Sequence, residues 1–171
     1  MKNEFTKRYS DMEAMRKKLF NELKKYSDEV INTKPEPHKW SVIEVLLHLV
    51  AAEEATLSYL QKKTTDTSSV KKSGLSAKIK YMLLQVAFNI PAKYKAPSVT
   101  KPKISKATLQ ELDEKWAKIR SDIMTITEKL KDEDFSKELW LHPVTGKMSL
   151  MQMVDFLTMH FQRHQIQIVN T

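Results

Sequence analysis

Cysteine is absent from the chain. Disulfides and thiolate metal ligands are therefore excluded, and any metal site must be built from imidazole and oxygen, which makes the five histidines the residues to place. Glycine is almost absent too, with two in 171 residues beside six prolines. A chain so poor in turn-forming glycine, and rich in Lys, Leu, Met, Ala and Glu, suits long helices better than a sheet-rich fold. No apolar run approaches the length that spans a bilayer, and the opening MKNEFTKRYSDMEAMRKKLF is charged throughout, unlike a signal peptide. These absences predict an all-α, cytoplasmic protein with no membrane insertion. At this length one core is sizeable whereas two would each be small, so residues 1–171 are expected to form a single domain.

The formal net charge is +8, and its distribution matters more than its total. Between Lys62 and Lys106 there are 11 lysines, no arginine and one aspartate, a local balance of +10 against −2 for everything else. A solvated surface accounts for such a stretch, but one folded over a binding site would attract anionic small molecules. Specific nucleic-acid recognition is not expected, because arginine is missing there and few aromatics accompany the lysines.

Apolar spacing predicts one long first helix over about residues 5–31, through Phe5, Tyr9, Met12, Leu19, Leu23, Tyr26 and Val30. Pro35 and Pro37 end it. Three capping boxes then announce helix starts: Ser41 with Glu44, Thr108 with Glu111, and Ser149 with Gln152. Trp40, just before the first box, is placed to staple the helix start. A shorter helix is predicted over 75–90, with the stripe Leu75, Ile79, Met82, Leu83, Val86 and Ile90, between a polar loop at 64–74 and a second loop holding Pro91, Pro97 and Pro102. The helix from Thr108 carries Leu109, Leu112, Trp116, Ile119, Ile123, Ile126 and Leu130 at unbroken spacing, and Asp132 to Met148 reads as a structured turn. Burying every stripe predicts a four-helix bundle with one additional short helix and long connecting loops.

On the second long helix one face reads Val45, His48, Ala52, Ala55, Tyr59, which turns His48 inward. On the last helix His160 and His164 are four apart and share a face with Met153 and Leu157. An inward histidine taken alone is accounted for as a hydrogen-bonded core residue. Three inward imidazoles each need a partner, and one divalent ion satisfies all three together while leaving a position open. Three neutral imidazoles suit Zn²⁺ or Ni²⁺.

The strings WSVIEVLLH from Trp40, HPVTGKMSL from His142 and HFQRHQIQI from His160 resemble the DinB superfamily of bacterial helical bundles, over most of the chain. That resemblance implies His48, His160 and His164 as metal ligands. It also implies either a YfiT-like metal-dependent hydrolase or a transferase that uses a low-molecular-weight thiol such as bacillithiol or mycothiol. With no cysteine of its own, the protein would take the thiol from outside. Family members also pair through helical faces, so a homodimer is an expectation by resemblance. Gln167 matches a glutamine of the family's last motif, and Arg163 departs from it, standing where many members have a further histidine.

Two weaker catalytic candidates remain. Glu44, one turn before His48, can orient that ring or act as a base, although its capping role already accounts for it; Gln167 can hydrogen-bond His164 or a substrate. Glu53 and Glu54 read as a solvated helix edge, His38 and His142 as loop residues in turn or exposed positions, and Gly146 as turn chemistry. The competing function is a non-catalytic helical module whose Lys62–Lys106 region binds an acidic partner or surface.

Overall fold

The structure, a computed structural model, describes residues 1–90 and 106–171, with Asn89 described by its backbone alone. The predicted loop from Pro91 through Pro102 lies outside the described residues. In chain order the elements are α1 (Lys2–Leu23), α2 (Asp28–Asn32), α3 (Val42–Lys63), α4 (Leu75–Asn89), α5 (Leu109–Glu128), a 3₁₀ turn (Asp132–Ser136), β1 (Trp140–His142), β2 (Gly146–Met148) and α6 (Leu150–Val169). The four long helices close a ring in which α3 packs on α5, α5 on α1, α1 on α6 and α6 on α3. The four-helix bundle is therefore as expected, and α4 flanks it against α6. Among the described residues no helix is long and apolar enough to cross a membrane.

All three capping boxes form, each with the side-chain oxygen of Ser41, Thr108 or Ser149 accepting from the third helical N–H, and the Glu or Gln reaching back. The stripes of α1 and α5 supply much of the core, with Phe5, Met12, Trp116 and Ile123 fully buried. The first helix is shorter than its periodicity implies. It stops at Leu23, and Ser27, accepting from the Val30 N–H, caps the five-residue α2. Tyr26 and Val30 consequently face solvent, while Ile31 is buried in their place.

The second difference is at α4. Its inner face is Ala77, Tyr81, Leu84 and Phe88, whereas the predicted stripe of Leu75, Ile79, Met82, Leu83, Val86 and Ile90 points outward. The third is the structured turn, which is a 3₁₀ turn followed by an antiparallel hairpin pairing Trp140 with Met148 and His142 with Gly146. Gly146 has φ of +85°, a conformation that a side chain disfavours. The Trp140 indole N–H donates to Thr56 Oγ1 at 3.2 Å, fixing the hairpin to α3.

Candidate metal centre

The bundle brings His48 on α3 together with His160 and His164 on α6. Ring centroids are 5.0 Å apart for His48 and His160, 4.8 Å for His48 and His164, and 4.7 Å for His160 and His164. One ring nitrogen from each lies within 4.8 Å of the others. Four nitrogens set tetrahedrally at ~2.05 Å from an ion are themselves about 3.3 Å apart, the spacing against which the 4.8 Å limit here is to be compared. The pair His48 Nε2 and His160 Nε2 is already at 3.0 Å. Two basic nitrogens that close must share a proton or a cation.

The surroundings keep the two rings on α6 uncharged. Burial, and after it the neighbouring His164 and His48, push the His160 pKa well below the ordinary imidazole value. Burial first and His48 second take His164 down to about 4, against a hydrogen bond to Gln167 that acts the other way. Neutral imidazole is the form that donates a lone pair to a metal. The walls are apolar: the Phe156 ring stacks on His160 at 5.5 Å, Trp40 lies 5.4 Å from His48, and the edge of Phe88 on α4 meets His160 at 6.3 Å. Trp40 thus packs on the His48 ring nearly two turns into α3, beyond its expected part at the helix start.

Gln167 Oε1 is 2.8 Å from His164 Nδ1. The amide oxygen can only accept, so Nδ1 carries the proton and the Nε2 lone pair of His164 is directed away from Gln167. This is the orienting contact that the spacing of the two residues on α6 suggested. Glu44 has other partners: its carboxylate accepts from the Ser41 N–H at 2.9 Å and pairs with Lys34 at 3.0 Å. Both its oxygens are engaged away from the histidines.

Of the remaining readings, Glu53 and the exposure of His142 are corrected, while Glu54 and His38 are exposed as expected. Glu53 is not part of a solvated edge: it is 3% exposed and forms a two-pronged ion pair with Arg120, at 2.9 and 2.7 Å. Glu54 is exposed, pairing with Lys115. His38 is exposed. His142 is the last residue of β1 and is buried, its Nδ1 accepting from the N–H groups of Val144 and Thr145 in the hairpin turn at 3.3 and 3.1 Å. Sequence reasoning missed the aromatic walls, although Phe156 sits four before His160 and so on the same face. It also missed Arg163, whose guanidinium donates to the carbonyls of Phe88 and Ile90 and lies 5.6 Å over the Phe88 ring. The residue that departs from the family pattern therefore ties the end of α4 to the histidine helix.

The family model of the DinB superfamily matches residues 11–168. The chain belongs to the DinB superfamily. It is also similar to an uncharacterized protein, YuaE, of Bacillus subtilis (strain 168), at 31% identity over 153 residues that cover 90% of each chain. No solved structure matches it. A DinB bundle holding a three-histidine cluster is compatible with metal binding, and all three histidines lie within the matched segment.

Proposed function

We propose that this DinB protein is a metal-dependent enzyme of the cytoplasm, holding one divalent ion, Zn²⁺ or Ni²⁺, on His48, His160 and His164. One observation carries the reading: three imidazoles from two helices present ligand nitrogens within 4.8 Å of one another inside an apolar wall. Each of the three rings offers one nitrogen to this common point, and the pair His48 Nε2 and His160 Nε2 face each other at 3.0 Å. When bound, the ion supplies Lewis acidity that lowers the pKa of a water or an exogenous thiol at a position left open by the three ligands. The chain's own residues do the rest. Burial holds His160 and His164 neutral, Gln167 fixes the His164 tautomer, and Phe88, Phe156 and Trp40 limit water at the site.

The reaction class is hydrolysis or transfer of a low-molecular-weight thiol onto a small electrophile. The guanidinium of Arg163 beside the site favours an anionic small molecule as the substrate or thiol donor. The test begins with untagged protein, loaded with Zn²⁺ or Ni²⁺ and assayed for metal content. About one ion per chain is expected, and none in His160→Ala. Loaded protein is then given bacillithiol with a fluorogenic electrophile, and in parallel chromogenic esters and amides. Turnover in either series that depends on the ion assigns the class, and a chain that takes up no ion at micromolar metal sinks the proposal.

A further inference from the structure

Helix α4 is apolar on two opposite faces. Its inner face is held: Gln152 Nε2 donates to the Ala77 carbonyl at 3.3 Å, Arg163 donates to the Phe88 carbonyl at 2.7 Å, and Phe88 packs on Phe156. The segment leading into it is fixed as well, since the Ser73 N–H donates to Ser136 and the Glu138 N–H to Lys71. The helix therefore cannot roll over to hide its other side. That side consists of Leu75, Ile79, Met82, Leu83, Val86 and Ile90, from 46% exposed at Ile79 to 74% at Leu75. At 3.6 residues per turn these six occupy about 100° of arc. Together they expose on the order of 500 Å² of contiguous aliphatic surface, at the upper end of what a monomer leaves to water.

The edges of the strip identify what covers it. Lys78 and Lys80, both exposed, stand roughly 90° to 110° on either side of its midline. Lys71 and Lys72, also exposed, lie just before the helix, and α4 has no acidic residue. A second copy of the chain would bring an equally basic surface against this one, which like-charge repulsion opposes. Protein partners select arginine and aromatic anchors at their contact centres and avoid lysine, and this strip has neither anchor. An aliphatic strip with lysines along both margins instead matches the boundary between headgroups and acyl chains, where the ammonium groups reach anionic lipid while their stems cover apolar surface.

We propose that the outer face of α4 docks the protein peripherally on an anionic lipid bilayer. The helix lies in the interface plane, with Leu75, Ile79, Met82, Leu83, Val86 and Ile90 in the acyl boundary and Lys78 and Lys80 on anionic headgroups. The reading is independent of the metal site.

The test is co-sedimentation of the full, untagged chain with phosphatidylcholine vesicles, with and without phosphatidylglycerol. Binding to the anionic vesicles is expected, weakening as NaCl is raised. Leu83→Asp combined with Val86→Asp should weaken it at least about tenfold. Lys78→Glu with Lys80→Glu should weaken it about thirtyfold or more. Both pairs are on exposed positions, and circular dichroism verifies that each variant stays helical. His160→Ala should bind vesicles as the parent does, which separates failure of the metal reading from failure of this one. No binding to phosphatidylglycerol vesicles at low salt overturns the proposal. So does binding that Leu83→Asp with Val86→Asp leaves unchanged, or a concentration-dependent dimer that the same pair dissolves, because a second copy would then occupy the strip.

Discussion

Two polar clusters are buried against the same helix, α3, and they are satisfied in opposite ways. Glu53 meets Arg120, which also donates to the Met12 carbonyl at 2.9 Å and to Glu13 at 3.2 Å, while Glu13 accepts from Arg16 on its own helix at 2.7 Å. Donors face acceptors, the Arg120 guanidinium lies 4.9 Å over Trp116, and nothing further is needed. One and a half turns towards the start of α3, His48 meets His160 and His164, where nitrogen faces nitrogen. The first cluster is closed and joins α1, α3 and α5. The second gathers ring nitrogens that one cation could take together, and under the proposed function that is the difference between a structural network and a ligand site.

The largest effect should come from His160→Ala. Removing one of three ligands should lower Zn²⁺ or Ni²⁺ affinity roughly a thousandfold or more. Titration calorimetry would read it, together with loss of the metal-induced rise in Tm. Glu53→Ala breaks the other cluster and leaves the Arg120 charge buried without its main partner, which should lower stability by about 3 kcal/mol or more. Urea unfolding measures this, and metal stoichiometry in the folded variant should stay at the parent value. If Glu53→Ala abolished metal uptake in protein that is still folded, the two clusters would be one system and the contrast between them would be wrong.

The histidine cluster was legible because it obeys helix geometry: His160 and His164 are one turn apart, and His48 interrupts a stripe of small apolar residues. The closed cluster was not. Glu53 lies beside Glu54 in a helix, and only the arrival of Arg120 from α5 decides which of the two is buried. Helix α4 shows a different limit. Its periodicity was read correctly as a helix, but Leu75, Ile79, Met82, Leu83, Val86 and Ile90 form the broader of two apolar faces, and the narrower one took the core. Periodicity finds faces and cannot rank them; here the ties of Gln152 and Arg163 to α4 carbonyls choose. The break after Leu23 was hidden because Tyr26 and Val30 continue the α1 spacing, and the cap from Ser27 ends it regardless.

A third buried polar residue sharpens the contrast, because it is neither charged nor part of the cluster. Burial takes the His142 pKa down to about 4. In the unfolded chain the ring titrates near 6.5, so between about pH 6.5 and about pH 4 the unfolded state binds more protons and folding stability falls as the pH drops. Over that window the loss should approach about 3 kcal/mol, being absent above it and complete below. His142→Asn keeps an acceptor for the Val144 and Thr145 N–H groups and cannot titrate. Its urea stability should therefore fall less steeply than the parent's between the two pH values; parallel curves would place the titration elsewhere.

The smallest effect tests whether the open cluster is oriented from outside itself. Gln167 is hydrogen-bonded to His164 Nδ1, so its expected contribution is to hold one tautomer rather than to bind the ion. Without the amide oxygen, His164 Nδ1–H would turn to solvent and the ring would sample the tautomer that presents a proton to the centre. Outer partners of this kind are typically worth about 10- to 100-fold in metal affinity. Gln167→Ala should lower affinity within that range and leave one ion per chain at saturating metal, and Gln167→Glu, which restores an acceptor at the same reach, should recover most of it. Because residue 167 is in the last turn of α6, where Ala is the better helix former and the dipole disfavours Glu, recovery by Glu and not by Ala separates orientation of the ring from support of the helix.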